Sequence, residues 1–214
     1  QDLPTYSQNA ESIYFATLSS QALVVHKKII GDRLQIIACW PNDTKLESLR
    51  INDDETYLAA IVDHRLVIQP INNLAECQQH STDNNNIKVS APNYITNALE
   101  RVTNPHWHKD NQSLYLTVYE NGVPNIVRLN VNSTKQHLVA NNYLSYRPIK
   151  GVQGYNAVAV DQQLFAWLVS DADATAKIKL AKLGSANSHR WAISDKGLYF
   201  TTREGREAFL NARY

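Results

Sequence analysis

Residues 106–131 read HWHKDNQSLYLTVYENGVPNIVRLNV, and this stretch decides the fold because it encodes two strands joined by a tight turn. Residues 114–118 form a run of leucine, aromatic and β-branched side chains, which is typical of a strand. Asn121 and Gly122 follow, and this pair readily adopts the positive φ angles of a short hairpin turn. Residues 126–131 then alternate between apolar and polar side chains, the period of a half-buried strand. The stretch is therefore predicted to be a β-hairpin.

The same pattern recurs along the chain, with copies that begin near positions 6, 50, 107, 157 and 191. Their spacing averages about 45 residues, the length of a four-stranded blade in a β-propeller. The sequence therefore predicts an all-β fold, a β-propeller of four-stranded antiparallel blades, with about five blades in one domain over residues 1–214. The last copy stops after its third strand. Either the N-terminal segment completes that blade or the domain continues further, and the second arrangement is expected.

Composition narrows the class of protein. The 214 residues carry 21 Lys and Arg against 20 Asp and Glu, a formal net charge of +1, which gives no overall electrostatic attraction to nucleic acid. No apolar run approaches the roughly 18 residues of a membrane-spanning helix. The chain has no Met and opens with Gln1, which indicates a processed chain or a segment of a longer protein. This segment is therefore expected neither to contact nucleic acid nor to span a membrane.

Catalytic and metal-binding motifs decide which chemistry the chain could carry. The sequence contains no G-x-S-x-G nucleophile elbow, no P-loop and no G-x-G-x-x-G motif, so it predicts no enzyme and no cofactor. His106 and His108 flank Trp107 and would share one face of a strand, as metal ligands do. The equivalent frame around Trp191 in the last copy has no second histidine. A structural role is therefore favoured for this motif, and no metal site is predicted.

Aromatic residues outside the predicted strands are the candidate contact groups. Tyr94, Tyr143 and Tyr146 lie in irregular segments, and exposed aromatic side chains in loops are common in interfaces. With His106 and His108 they form the set of predicted ligand or partner contacts. The tryptophans fall mostly at strand positions and are predicted to belong to the core between blades: Trp40, Trp107, Trp167 and Trp191.

Cys39 and Cys77 are the two cysteines of the chain. They lie far apart in sequence and lack the C-x-x-C spacing of a zinc site. In an oxidising compartment they could form a disulfide that joins neighbouring blades. Two buried free thiols are the alternative, and the sequence leaves both open.

The stretch PHWHKDN at residues 105–111, followed by Leu114 and Leu116, resembles the propeller repeat of the TolB family, whose pattern is approximately P-x-W-S-x-D-G-x-x-L-x-F. His108 stands where this pattern has Ser, and Asn111 stands where it has Gly. Asn tolerates the left-handed backbone conformation, so the turn is expected to be retained. The resemblance covers most of the chain and implies the propeller fold.

Residues 189–214, HRWAISDKGLYFTTREGREAFLNARY, resemble the final blades of periplasmic propellers in membrane-anchored winged-helix regulators of the CadC/ToxR type. In such proteins a cytoplasmic DNA-binding domain precedes one transmembrane helix, and the outer domain senses a signal. The resemblance implies a non-enzymatic periplasmic sensing or interaction domain of a membrane-tethered transcriptional regulator, with a protein or a small molecule as the signal. Two alternatives remain: a free-standing TolB-like periplasmic scaffold that binds proteins, and an accessory propeller of a prolyl-oligopeptidase-like hydrolase.

Overall fold

The computed structural model describes residues 4–7, 11–20, 22–32, 34–71, 89, 91–96, 100–133, 135–152, 155–170, 173, 175–183, 191–194, 197–201 and 207–210. Of residues 150–152, 191–194, 197, 199–201 and 207–210 it describes the backbone alone. The regular elements in these ranges are β-strands, which confirms the predicted all-β class. Within the same ranges, no helix has the length and apolar character needed to cross a membrane.

The chain divides into two compact units, and the first comprises Gln1–Arg101. It contains a four-stranded sheet in the order β1-β2-β3-β4 and a three-stranded sheet in the order β5-β6-β7, with every neighbouring pair antiparallel. The strands are β1 (Thr5–Tyr6), β2 (Ser12–Leu18), β3 (Ala22–Ile29), β4 (Leu34–Pro41), β5 (Leu46–Ile51), β6 (Tyr57–Val62) and β7 (Arg65–Pro70).

The second unit comprises Val102–Tyr214, and its first strand begins at the unit boundary. Its antiparallel sheets have the orders β11-β10-β9-β8, β12-β13-β14-β15 and β16-β17-β18. The strands are β8 (Arg101–Trp107), β9 (Ser113–Glu120), β10 (Val123–Asn130), β11 (Gln136–Asn141), β12 (Tyr143–Val152), β13 (Tyr155–Asp161), β14 (Phe165–Val169), β15 (Lys177–Lys182), β16 (Trp191–Ser194), β17 (Gly197–Thr201) and β18 (Glu207–Leu210).

Each sheet is a meander, because every strand pairs with the strand next to it in sequence. The hairpin predicted within residues 106–131 is present as β9 and β10. Their turn is at Asn121 and Gly122, whose φ angles are 50° and 81°. Among the described residues three sheets have four strands and two have three, which is the strand pattern of propeller blades.

The core of the first unit lies between its two sheets and is centred on Tyr14, Leu49 and Leu58, each at most 2% exposed. The Tyr14 hydroxyl donates a hydrogen bond to the Glu55 carboxylate, and Lys27 Nζ lies 2.6 Å from the same oxygen. Burial and the bond to Glu55 raise the pKa of Tyr14. A polar contact between β2 and the β5–β6 turn therefore supplements apolar packing between the two sheets.

The core of the second unit has two apolar layers, one on each face of the β12–β15 sheet. On one face Tyr115 and Ile126 of the β8–β11 sheet pack with Tyr146 of β12. On the other face Leu168 packs with Leu198 of the β16–β18 sheet. The β12–β15 sheet thus lies between two neighbouring sheets, and its last strand, β15, is largely exposed.

Candidate functional site

A pocket of about 420 Å³ lies beside the β12–β15 sheet of the second unit. Two turns supply most of its lining, the β11–β12 turn and the β13–β14 turn, and strands β14 and β15 supply the rest. We call it the Trp167 pocket, and its lining residues are Asn141, Asn142, Tyr143, Asp161, Gln162, Gln163, Trp167 and Lys177. The lining combines side-chain amides, aromatic rings, one carboxylate and one ammonium group, which can hydrogen-bond a polar ligand.

Asp161 organises the Trp167 pocket. Its Oδ1 accepts hydrogen bonds from the backbone N–H groups of Gln163 and Phe165, at 3.0 and 2.9 Å. Its Oδ2 accepts a hydrogen bond from Trp167 Nε1 at 2.7 Å. Leu164 completes the β13–β14 turn with a φ of 67°. Because both carboxylate oxygens are engaged, Asp161 fixes the turn and the indole ring in one geometry.

Tyr143 lies directly opposite Asp161 in the register of β12 and β13. Burial and the negative charge of Asp161 raise the pKa of Tyr143, so its hydroxyl stays protonated at neutral pH and offers both a donor and an acceptor. Its neighbour Asn142 has a φ of 66°, and the Asn142 N–H donates to the Pro124 carbonyl at 2.8 Å. The amide of Gln162 donates to Asn142 Oδ1 at 3.4 Å, so the two turns touch across the mouth of the pocket.

Of the predicted contact residues, Tyr143 lies in this pocket and Tyr146 does not. Tyr146 is 2% exposed and packs against Tyr115 with 4.9 Å between ring centres. The predicted irregular segment is wrong for both Tyr143 and Tyr146, because Tyr143–Val152 is a strand, and the predicted exposure is wrong for Tyr146. Register shifts after Tyr143 and after Pro148 interrupt the alternation that would have indicated this strand in the sequence.

Tyr94 lies in the first unit and is held by contacts within the chain. Its hydroxyl donates to Asp63 Oδ2 at 2.9 Å, and the Arg65 guanidinium carbon lies 3.3 Å from its ring centre. Burial and the Asp63 carboxylate raise the pKa of Tyr94. Its backbone forms an isolated β-bridge with Val67, which places Tyr94 beside β7. Its role as a partner contact stays a prediction.

The two candidate histidines occupy different surroundings. His106 is within β8 and only 9% exposed. His108 follows the strand, and its Nδ1 lies 3.0 Å from Asp110 Oδ2, while its ring meets Tyr115 edge-on at 5.8 Å. In the described part of the chain no group of three or more His, Cys, Asp or Glu side chains is arranged to hold a metal ion. The contact roles of both histidines stay predictions.

Asp110 stabilises the turn of the TolB-like motif. Its Oδ1 accepts hydrogen bonds from the N–H groups of Gln112 and Ser113, at 2.9 and 2.8 Å, and its Oδ2 lies 2.7 Å from Arg128 Nη2. Burial raises the pKa of Asp110, but the hydrogen bonds from Gln112, Ser113 and His108 outweigh burial and hold the pKa well below its usual range. The carboxylate therefore joins the β8–β9 turn to β10 as an anion.

Replacing Asp110 with asparagine is expected to lower the free energy of unfolding by about 1 kcal/mol at neutral pH, since the amide keeps an acceptor oxygen but loses the charge. The pKa of Asp110 is lower in the folded chain, so its stabilising effect is present above about pH 4 and is lost as the pH falls below that value. Urea unfolding of the wild type and Asp110→Asn at several pH values measures this difference. A difference between the two proteins that is unchanged from pH 7 to pH 3 would contradict the prediction.

Cys39 is disulfide-bonded. It is 5% exposed and packs with Ala22 and Val24 on the β1–β4 sheet. Cys77 is the other cysteine of the sequence and lies outside the described residues. The Cys39–Cys77 pair therefore stays a prediction, whereas the structure shows that Cys39 is in a disulfide.

Sequence reasoning found Tyr143 but missed the rest of the Trp167 pocket. The sequence predicts a core position for Trp167, and this residue does pack in part against the layer around Tyr115 and Tyr146. The amides of the two turns resemble ordinary turn residues in sequence. The sequence pattern that could indicate the Trp167 pocket is the segment DQQ at residues 161–163. In this segment an Asp that caps a turn is followed by two exposed amides.

No family model matches the sequence, and no curated protein matches it. TolB from Acinetobacter baumannii is 10% identical and superposes with a TM-score of 0.63, over 94% of this chain and 48% of TolB. A chain of the crystallised nidogen/laminin complex is 11% identical and superposes with a TM-score of 0.62, over 94% of this chain and 71% of that chain. The chain thus spans about half the length of TolB. It has a TolB-like β-propeller fold, which confirms the predicted fold class.

Proposed function

We propose that this chain is a non-enzymatic recognition domain, the periplasmic sensing part of a membrane-tethered transcriptional regulator, with the Trp167 pocket as its ligand site. The observation that carries the proposal is that hydrogen bonds within the chain engage both carboxylate oxygens of Asp161. Three hydrogen bonds to its two carboxylate oxygens hold Trp167 and the β13–β14 turn in place. A general base needs a carboxylate oxygen directed at a substrate proton. A carboxylate engaged in this way instead shapes a surface for binding.

The disulfide of Cys39 supports the proposed periplasmic location. Such a bond persists in oxidising compartments such as the periplasm and is rare in the cytosol. The resemblance to the TolB family and to regulators of the CadC/ToxR type supports a sensing or protein-interaction role in that compartment. The TolB-like fold accords with that role.

A mechanism follows from the position of the Trp167 pocket between two sheets. Asn141 ends β11 of the β8–β11 sheet, whereas Gln163 belongs to the turn between β13 and β14 of the next sheet. A ligand that contacts both residues would restrain one sheet relative to the other. Ligand binding would thereby favour one arrangement of the two blades, and the segment that joins the propeller to the membrane would transmit that change.

Substituting Gln163 with tryptophan in the full-length parent protein tests this proposal. Gln163 is exposed and only its backbone serves the Asp161 turn, so an indole should fill the pocket mouth without unfolding the domain. Transcripts of genes whose promoters the tagged parent occupies are expected to change severalfold relative to wild type. Lys135→Gln is the matched control because Lys135 is exposed in the same unit and lies outside the pocket lining. Unchanged transcripts in Gln163→Trp would count against the sensing role.

The sequences that flank this chain in the full-length parent protein distinguish the sensing role from its two alternatives. A basic winged-helix segment and one apolar helix upstream of Gln1 are expected. A signal peptide directly upstream would favour a free-standing TolB-like scaffold, and a downstream domain with a serine nucleophile elbow would favour an accessory propeller of a hydrolase.

A further inference from the structure

Three lysines lie on one face of β15, which is the last strand of its sheet. Lys177 Nζ lies 5.0 Å from the Trp167 ring centre, and Lys179 Nζ lies 3.3 Å from the Phe165 ring centre. Lys182 Nζ lies 5.6 Å from the same phenyl ring. A register shift between Ala166 and Trp167 of β14 keeps Lys182 on this face. We call Lys177, Lys179 and Lys182 the lysine strip.

Aromatic rings, rather than carboxylates, hold the ammonium groups of the lysine strip. Cation–π contact orients an ammonium group without neutralising its charge. All three lysines are exposed, and among the residues that the structure describes no carboxylate forms an ion pair with any of them. The strip therefore presents ordered positive charge to solvent, with about 7 Å along the strand from Lys177 to Lys179 and up to about 10 Å from Lys179 to Lys182.

The lysine strip leads directly into the Trp167 pocket, because Lys177 belongs to both. Inside the pocket the amides of Asn142 and Gln163 offer paired donors and acceptors of the kind that neighbouring sugar hydroxyl groups need. Tyr143 and Trp167 are half-buried and add apolar ring surface on which the C–H face of a sugar ring can pack. Amides, aromatic rings and a row of cations together match a saccharide that carries acidic groups.

We propose that the Trp167 pocket and the lysine strip bind an acidic oligosaccharide, with one sugar ring in the pocket and the following carboxylate or sulfate groups along β15. This inference deepens the proposed function and rests on it, because it assigns a ligand class to the same sensing site. The amides select for hydroxyl-rich rings, and the lysine strip selects for negative charge.

The test uses the full chain and a hexamer of a uronic acid, with binding measured by calorimetry. The hexamer is expected to bind at least about tenfold more tightly than the same hexamer after its carboxyl groups are reduced to alcohols. A sulfated hexamer of matching length distinguishes sulfate from carboxylate as the preferred acidic group. The double variant Lys177→Gln/Lys179→Gln should lose at least about tenfold in affinity, and Lys135→Gln should lose less than about twofold. Equal binding of the charged and reduced hexamers would overturn the proposal.

A second comparison separates saccharide recognition from binding of any polyanion. Gln163→Leu removes a pocket amide and should weaken the uronate hexamer severalfold while leaving inorganic polyphosphate unaffected. Polyphosphate that binds as tightly as the hexamer, with equal sensitivity to Gln163→Leu, would overturn the proposal. If pocket substitutions alter transcription while neither acidic hexamer binds, the ligand class is wrong and the sensing function stands. If a hexamer binds as proposed but transcription is unchanged, the sensing function fails and the saccharide site stands.

Discussion

Replacing Tyr115 with alanine is expected to lower the free energy of unfolding by about 3–5 kcal/mol, the usual cost of removing a large aromatic side chain from a core. Tyr115 is 1% exposed and lies between two sheets of the second unit. Its ring packs on Tyr146 at 4.9 Å and on His108 at 5.8 Å, and the Arg128 guanidinium carbon lies 5.9 Å from its centre. Alanine would leave a cavity where the β8–β11 and β12–β15 sheets meet.

Urea unfolding followed by far-ultraviolet circular dichroism measures this loss. Leu138→Ala is the matched control, since Leu138 is 51% exposed on β11 of the same unit and should cost less than about 0.5 kcal/mol. A double-mutant cycle with Tyr146→Ala should give a coupling energy of about 0.5–1.5 kcal/mol for the aromatic pair. A loss below about 1 kcal/mol in Tyr115→Ala would show that the two sheets do not depend on this contact.

The fold could be predicted because its signals are local. Asn121 and Gly122 form the expected hairpin turn with positive φ angles, and the apolar runs on either side form β9 and β10. Asp110, which matches the Asp of the TolB repeat, forms the hydrogen bonds that close the turn before β9. Such chemistry depends on residues a few positions apart, so a pattern read along the chain detects it.

The candidate site could not be predicted in the same way, because its parts come together only in space. Asn142 and Lys177 lie in different turns and strands, and no sequence pattern links them. The strand β12, which carries Tyr143 and Tyr146, is interrupted by register shifts that hide its alternation. Tyr143 therefore belongs to the pocket and Tyr146 to the core, although both seemed equivalent contact candidates in sequence. Side-chain direction depends on register, which composition does not encode.

Removing the disulfide of Cys39 is expected to lower the free energy of unfolding by about 3–4 kcal/mol if its partner is Cys77, because the bond would close a loop of roughly 40 residues in the unfolded chain. The wild type with intact disulfide should show no reactive thiol when unfolded without reductant. Cys39→Ala, Cys77→Ala and the double variant should then lose similar stability, since either substitution opens the same loop. Chemical denaturation with and without reductant measures each value.

The pattern across these variants distinguishes the possible partners of Cys39. With the predicted pair, reductant lowers the stability of the wild type to that of the double variant and leaves the double variant unchanged. Cys39→Ala should cost slightly more than Cys77→Ala if packing around Cys39 also matters, because Cys39 is buried against Ala22 and Val24. A disulfide-linked dimer on a non-reducing gel, or additive losses from the two single substitutions, would show that Cys39 and Cys77 do not pair within one chain. Stability that depends on this bond would tie the domain to an oxidising compartment, because reduction alone would then remove a large share of the roughly 5–15 kcal/mol that typically separates the folded from the unfolded state of a natural domain.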